Sequence, residues 1–461
     1  MFSKKINRRE MLQGLGLTLA ASALAACAPQ VSEEEKATEA PKPTEEMAAT
    51  PAPVEKVTLR MMRVGGSMGE HYPQVVEMFM EQNPDIEVTM EDIAYGDVWM
   101  KTEMGFAAGD LQDVVHSFTR YYFLGASQGF YMPVDDVLQD LVPDYDDYYE
   151  VAMENIRFEG KLYGLLEAAY IGPTAFLVWN RHLIEEAGVE PPTPDTDMNG
   201  LYELAIKCTN VDKEIFGLEM NHNTIGRLCN TLRTYGKPEY GVNGDTSSWL
   251  VSPDGKKFRF VDNPAAEEYF TKWYRPLQDA GVLPRVFESG LFQAGKAAMF
   301  QGHHGWVSRL NKDCEWGYDP KDSLLMPVGA QGRRGTSQES HMKCVYSQTK
   351  HSAEALRLSA FVTGTEAGKL SLQTHGGLSA RKSVYNDPEL WESYPHYKLH
   401  HETLLSGIVE PYPMPWNFRD QEVLDAHKNL FAPLYDGSTT FEEVAPTIQE
   451  EIQKIVDQPR P

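Results

Sequence analysis

The sequence reads as an α/β protein built from more than one domain, and three observations carry that reading. Its 461 residues exceed the roughly 100–200 typical of one domain. Its composition, 42% apolar and 11% aromatic, is that of a chain with a sizeable core. From residue 57 onward the apolar pattern alternates between the two-residue period of strands and the longer period of helices. No internal repeat of fixed spacing interrupts that rhythm.

The first 56 residues do not belong to it. Lys4, Lys5, Arg8 and Arg9 form a positive n-region, followed by an uncharged stretch at 12–26. That stretch is too short to cross about 30 Å of hydrocarbon as a helix, so it is a targeting segment. Arg8-Arg9 followed by Glu10, Met11 and Leu12 resembles a twin-arginine export signal; an ordinary Sec signal with adjacent arginines stays open. Leu24-Ala25-Ala26-Cys27 matches the bacterial lipobox, in which the cysteine is acylated. Residues 1–26 are therefore expected to be a lipoprotein signal peptide. Residues 27–56, rich in Ala, Pro, Glu and Thr, are expected to form an acylated, flexible tether.

Charge narrows the partners. With 42 Lys+Arg against 67 Asp+Glu, the net charge of −25 leaves no basic face for nucleic acid. Cys208, Cys229, Cys314 and Cys344 remain beyond the lipobox, and sequence does not choose among their three pairings. None is spaced as a zinc pair, and no metal or other cofactor is expected.

The elements follow in order. Val57-Thr58-Leu59-Arg60-Met61 alternates as a strand that ends at Gly65-Gly66. Val75, Val76, Met78, Phe79 and Met80 recur at helical spacing within about 68–82, Asn83-Pro84-Asp85 turns the chain, and Ile86-Glu87-Val88-Thr89-Met90 alternates again. Such a βαβ unit predicts parallel strands with a right-handed crossover. A helix over about 98–108 and a short strand at Asp113-Val114-Val115-His116 come next.

These residues resemble family 1 extracellular solute-binding proteins, the maltodextrin-binding-like receptors of ABC sugar importers. The likeness begins at Phe79-Met80-Glu81-Gln82-Asn83-Pro84-Asp85-Ile86-Glu87-Val88 and continues through Ala107-Ala108-Gly109-Asp110, Lys161-Leu162-Tyr163-Gly164 and Phe176-Leu177-Val178-Trp179-Asn180. It is strongest at Phe292-Gln293-Ala294-Gly295-Lys296-Ala297-Ala298-Met299 with Gly305-Trp306, and it returns at Gly376-Gly377-Leu378-Ser379-Ala380 and Asp436-Gly437-Ser438-Thr439. Departures are Gln112 for a proline, Thr196-Asp197 where a Thr-Trp pair opens a helix, and Pro446 early in the last helix. The order and spacing of these motifs across 57–457 carry the resemblance.

The resemblance implies a two-lobed periplasmic-binding-protein-like fold. Each lobe is expected to be a mainly parallel sheet with flanking helices, and the ligand cleft to lie at a multi-strand hinge. Lobe 1 is expected to comprise 57–170 with 327–382, and lobe 2 to comprise 171–326 with 383–461. The chain is expected to cross near 168–174, 325–328 and 379–386, with Gly172, Pro173, Pro327 and Gly329 at bends. It further implies a monomer that takes a carbohydrate ligand without catalysis and delivers it to ABC permease subunits served by a separate ATPase. Localisation is then extracytoplasmic, with only the N-terminal lipid in the membrane.

Ligands of α/β sheets bind beyond the carboxyl ends of strands, which points to three loops. After Val64 stand Gly65, Gly66 and Ser67, where Gly66 either serves a turn or approaches the ligand. After Val115 an aromatic cluster with Phe118, Tyr121 and Tyr122 surrounds Arg120, whose guanidinium needs a partner and hints at an anionic unit. After Phe300 come His303, His304 and Trp306; the resemblance matches Trp306 to a tryptophan that stacks on a sugar ring. Trp416 matches a second such tryptophan more loosely. Gln338 and Glu339 add polar edges. The candidate ligand-binding set is thus Trp306, Arg120, Trp416, Gly66, Phe118, Tyr121, His304, Gln338 and Glu339, with core packing the competing role for each aromatic.

The rival reading is a secreted carbohydrate-active enzyme, a glycosidase or lyase with an aromatic cleft. It would need paired carboxylates, and although Glu167, Glu339 and the acidic run 144–150 are available, no catalytic motif brackets them. His303-His304 lacks a third metal ligand, and no phosphate-binding glycine motif is present.

Overall fold

A computed structural model describes residues 56–172, 174–220, 224–286 and 288–461. The export signal, Cys27, all of the tether but Lys56, and the hinge residue Pro173 lie outside the described residues. Among the described residues no helix is long and apolar enough to cross a membrane.

Two sheets organise the chain. The first is ordered β2-β1-β3-β9-β4, from β1 (Val57–Val64), β2 (Ile86–Ile93), β3 (Val114–Phe118), β4 (Leu165–Tyr170) and β9 (Glu339–Val345). The second is ordered β6-β7-β5-β8, from β5 (Phe176–Trp179), β6 (Phe216–Glu219), β7 (Ala297–Gly302) and β8 (Ser323–Leu325). β1 and β2 pair in parallel from Val57↔Ile86 to Val64↔Ile93, as the βαβ reading expects. Each sheet has one strand that runs against all the others. Those are β9, antiparallel to β3 and β4, and β5, antiparallel to β7 and β8. Both are the first strand laid down after the chain changes sheet, so it enters from the opposite end.

Local chemistry sets the element ends. The helix Tyr72–Gln82 buries Tyr72, Val75, Val76 and Phe79, the i, i+3, i+4, i+7 stripe of an amphipathic helix. At about 1.5–3 kcal/mol per large apolar side chain buried, this stripe fixes the helix on the first core, where Phe79 meets Phe361 of the helix Ser352–Val362 edge-on at 5.4 Å. The helix starts later than 68 because Gly66–Gly69 winds as a tight 3-10 turn, and Pro73 takes an opening position where no N–H is required. Helix Val98–Ala108 ends at Gly109 in the left-handed region, the usual glycine stop. Where the resemblance wanted a Thr-Trp pair, Asp197 caps helix Met198–Cys208 by accepting from the Gly200 N–H at 2.8 Å. Pro446 neither delays nor ends its helix: a capping box of Thr440 and Glu443 starts it at Phe441, and it runs to Val456. All four cysteines are buried and free, so no disulfide joins them.

Chain crossings join the sheets between Tyr170 and Phe176 and between Leu325 and Glu339. Helix Pro395–Leu405 touches both sides. His396 meets Phe176 at 6.0 Å, whereas the Tyr149 hydroxyl lies 2.6 Å from His401 Nδ1. Beyond it, Thr336 Oγ1 donates to the Ile408 carbonyl and the Gln338 N–H to that of Glu410. The late chain thus runs alongside the second crossing before helices Asp420–Leu430 and Phe441–Val456 join the second core.

Candidate ligand-binding site

A cavity of about 550 Å³ opens where the strand ends of both sheets converge. Its lining comes from the loops that the strand-end rule selects. Ser67 follows β1, Arg120 follows β3, Tyr170 ends β4, Arg227 stands beyond β6, and His303, His304 and Trp306 follow β7. Glu339 joins them because β9 is reversed and begins at that same edge.

Four sequence-predicted residues therefore meet: Trp306, Arg120, His304 and Glu339. Trp306 stacks on Phe300 at 5.5 Å and lies under the Arg227 guanidinium, 5.0 Å from the ring centre. Its neighbour His303 caps the short turn by accepting from the Gly305 N–H at 3.0 Å. Burial, and then the charge of Arg227, push the His303 pKa down to about 3, so the ring is neutral and Nδ1 is free of a proton. Arg120 reaches the Tyr95 hydroxyl at 3.4 Å and Glu339 at 3.6 Å, and its Nε is buried without a hydrogen-bond partner.

The other candidates stand elsewhere. Trp416 packs on the second core and donates its Nε1–H to the Val456 carbonyl at 2.6 Å. Gln338 is 2% exposed, its amide held by Ala152, Asn155 and Ser340. Phe118 is wholly buried as the last residue of β3, edge-on to His341 at 4.7 Å. Tyr121 turns away to stack on Trp99 at 5.4 Å and donates to Gln421. Gly66, at φ 71°, serves the turn; the next residue, Ser67, lines the cavity and accepts from Arg309 Nη1 at 2.8 Å.

Arg227, Tyr412, Tyr95, Tyr170 and Arg309 also line the cavity and were absent from the predicted set. For Arg227 a signal existed: it lies beyond the carboxyl end of a parallel strand, β6, whose glycine-broken Phe216-Gly217-Leu218-Glu219 shows no alternation. Gly226 makes room for Tyr412, whose ring would lie 3.1 Å from an added Cβ. Asp420 lies close to Arg120 and Glu339. Burial pushes its carboxyl up to about 7, and the Arg120 charge opposes that rise.

Behind the cavity floor lies a second polar cluster. Ligand atoms of His116, Glu167 and His341 come within 4.8 Å of one another, a spacing that fits a metal. The Lys343 ammonium already stands there, 3.3 Å from Glu167 Oε2 and 2.6 Å from His116 Nδ1. It supplies the positive charge a metal would bring. Burial works against the Glu167 charge, yet Lys343 and His116 hold its pKa well below the ordinary range.

The comparisons with known proteins agree with the two-sheet fold. In solved structures, an ABC substrate-binding protein from Listeria monocytogenes in complex with cycloalternan superposes with a TM-score of 0.72. It is 19% identical, over 87% of this chain and 99% of that one. The GacH receptor of Streptomyces glaucescens, solved unliganded and with acarbose, gives 0.71 at 20% identity over 88% and 99%. A solute-binding protein of Agrobacterium vitis with bound D-mannitol gives 0.69 at 19% identity over 86% and 98%. These establish the two-lobed fold. A binding protein of Brucella abortus is 23% identical over 344 residues, 72% of this chain and 78% of its own. The family model of bacterial extracellular solute-binding proteins matches residues 74–398, and the chain belongs to that family of extracytoplasmic receptors, which bind their substrates and are not enzymes.

Proposed function

We propose that the protein captures a sugar or oligosaccharide in the cavity between its sheets and delivers it to an ABC importer. The observation that carries this reading is the composition of the cavity. The Trp306 indole, in part exposed, stands among Arg120, Glu339, His303, Ser67 and Tyr412. An apolar ring surface suits the C–H face of a sugar, and the polar groups suit its hydroxyls. The ligands named for the structural neighbours, cycloalternan, acarbose and D-mannitol, are all rich in hydroxyl groups.

The proposed lobes, 57–170 with 327–382 and 171–326 with 383–461, each contribute to the cavity wall, so a ligand touching both favours closure. Shifting such an equilibrium from 1:99 to 99:1 takes about 5.5 kcal/mol of differential binding. The closed monomer then docks on permease subunits, whose ATPase is a separate chain. Export by the twin-arginine route and acylation at Cys27 hold it at the membrane by lipid alone.

A thermal-shift screen over neutral sugars, uronates, polyols and oligosaccharides, followed by product analysis of the best binder, tests the reading. Stabilisation by at least one sugar, recovered unchanged, is expected; a chemically altered sugar overturns it. Cys27→Ala should leave the protein unlipidated. Replacement of Arg8 and Arg9 by Lys should block export, and normal export of that variant would point to the Sec route instead.

A further inference from the structure

Three side chains outside the cavity lining form a wholly buried ionic cluster: Arg233, Arg333 and Glu410 are each 0% exposed. Arg333 Nη2 donates to Glu410 Oε1, and Arg233 Nη1 stands 3.9 Å from Glu410 Oε2. Arg233 Nε and Nη2 are buried without hydrogen-bond partners. Two cations around one carboxylate, met this incompletely, add little stability, because desolvation offsets their attraction. The use of the cluster lies in what it holds.

Arg233 joins three parts of the chain. It closes the helix Ile225–Arg233. Its Nη1 donates to the Thr336 carbonyl at 2.7 Å, in the second crossing, and to the Pro411 carbonyl at 3.1 Å, in the late chain. The guanidinium lies 4.0 Å from the Trp249 ring centre, which fixes its plane. Arg333 is tied in turn to the Lys237 carbonyl at 3.2 Å and to that of Asp245. Pro411, Pro413 and Pro415 have no N–H, so this stretch relies on its carbonyls for anchorage. The residue after Pro411 is Tyr412, which lines the cavity.

The start of the same helix meets Tyr412 as well. Thr224, Gly226 and Arg227 line the cavity, and a Cβ on Gly226 would lie 3.1 Å from the Tyr412 ring. Gly226 and Arg233 are two turns apart and share a helix face, about 10 Å from one another along the axis. That face therefore bears on Tyr412 twice, on its ring at the helix start and on its backbone at the helix end. Burial raises the pKa of the Tyr412 hydroxyl, and the charges of Asp420, Arg120 and Glu339 reach it. Those groups meet the tip of the side chain, whereas the cluster holds its base.

We propose that Arg233, held by Glu410, is a positioning residue that sets Tyr412 against the ligand and so tunes affinity from outside the cavity. This rests on the sugar-capture reading above and adds to it a residue that touches no ligand. A binding group whose support is loose by about 1 Å loses much of its effect. Arg233 prevents that looseness at the one wall segment built on alternate prolines.

Isothermal titration calorimetry with D-glucose, D-galactose, D-galacturonate, D-sorbitol and maltotriose, read on the tightest binder, tests this. Arg233→Met leaves the Glu410–Arg333 pair in place and should weaken that sugar about tenfold. Tyr412→Ala should weaken it by a similar factor. Adding Arg233→Met to Tyr412→Ala should then cost less than about twofold more, because the residue it acts through is gone. Equal losses in both backgrounds, or unchanged affinity in Arg233→Met, overturn the proposal, since a merely structural arginine gives one or the other. Arg233→Lys keeps the cation without the planar group stacked on Trp249 and should lie between; it carries the cycle if the Met variant does not fold. A crystal structure of ligand-free Arg233→Met should show Tyr412 displaced by about 1 Å or more, and a ring in its wild-type place overturns the positioning role. If wild-type protein with a normal melting transition binds none of the five, the capture reading fails, and that crystal structure still decides what holds Tyr412.

Discussion

Strand β9 carries two polar clusters on one face, and they differ in how their charges are met. Glu339 opens the strand at the cavity, His341 lies between, and Lys343 sits behind the floor; the two-residue period of a strand puts all three on the same side. At the rear, Lys343, Glu167 and His116 lie within 3.3 Å of one another, and Lys343 is wholly buried. The charges cancel and the Lys343 Nζ also lies 4.3 Å from the Tyr72 ring centre. At the front, Arg120 meets Glu339 at 3.6 Å and the Tyr95 hydroxyl at 3.4 Å, and its Nε has no hydrogen-bond partner.

The largest effect is expected at the rear. Lys343→Met leaves the Glu167 carboxylate buried without its cation, and breaking a buried pair from one side is worth about 3–5 kcal/mol of stability. Urea unfolding should show that loss, with affinity for the best sugar little altered. An unfolding midpoint equal to wild type would remove the distinction between the clusters.

Next comes pH. Asp420 is 2% exposed, and its pKa stands at about 7 against an ordinary 3.8. The groups that face it are Arg120 from the loop after β3, Glu339 from β9, Tyr412 and Tyr121, and Cys229. Because the folded state holds this proton more tightly than the unfolded chain, stability is greatest below the unfolded value. It falls as pH rises from about 4 to 7 and levels off above. The full span corresponds to at most about 4 kcal/mol. Asp420→Asn should flatten that slope and stabilise the protein at pH 8; a slope equal to wild type would assign the effect to another group.

Trp306→Ala sharpens the front. Its ring is only partly buried, packed on Phe300 and beneath Arg227. Sugar affinity should fall about tenfold or more, with the ligand-free protein losing about 1–2 kcal/mol. Loss of about 3–5 kcal/mol with affinity spared would make this tryptophan structural. The smallest change belongs to Trp416→Phe, which removes the hydrogen bond to Val456. It should cost about 1 kcal/mol in thermal unfolding and leave binding untouched; weakened binding would return Trp416 to the site.

Much of the fold was legible because local pattern and global topology agree. The βαβ unit at 57–93 has a clean stripe, a proline-bearing turn and alternating strands, and Val98–Ala108 falls where its periodicity predicts. The site was legible in part where a strand was recognised: residues after β1, β3 and β7 reach the cavity, whereas Tyr95 after β2 was missed and Gly66, Phe118 and Tyr121 lie outside the lining. It failed where periodicity is silent. In the run Pro411-Tyr412-Pro413-Met414-Pro415-Trp416 neither helix nor strand period applies, so nothing in the sequence says that Tyr412, and not Trp416, lines the cavity. Gln338 fails for the opposite reason. Once β9 is known to start at Glu339, alternation turns position 338 to the other side.

The seating of β9 also governs how the molecule comes into being. It is the last strand in the chain, yet it lies inside the first sheet and pairs Val345 with Val114 and Lys343 with Leu165. A chain synthesised only as far as residue 338 has β3 and β4 but nothing to join them, and both strands present open edges of the kind that pair with other chains. The second core waits longer still. Its Phe258 and Phe260 N–H groups are met by Gln453 and Gln449 of the final helix. Closing contacts that span so much of the sequence is slow: the first sheet gains its inner strand only with Glu339–Val345, and the second core its last helix only with Phe441–Val456. The walls of the cavity are therefore completed in sequence, the first with β9 and the second only with the final helix.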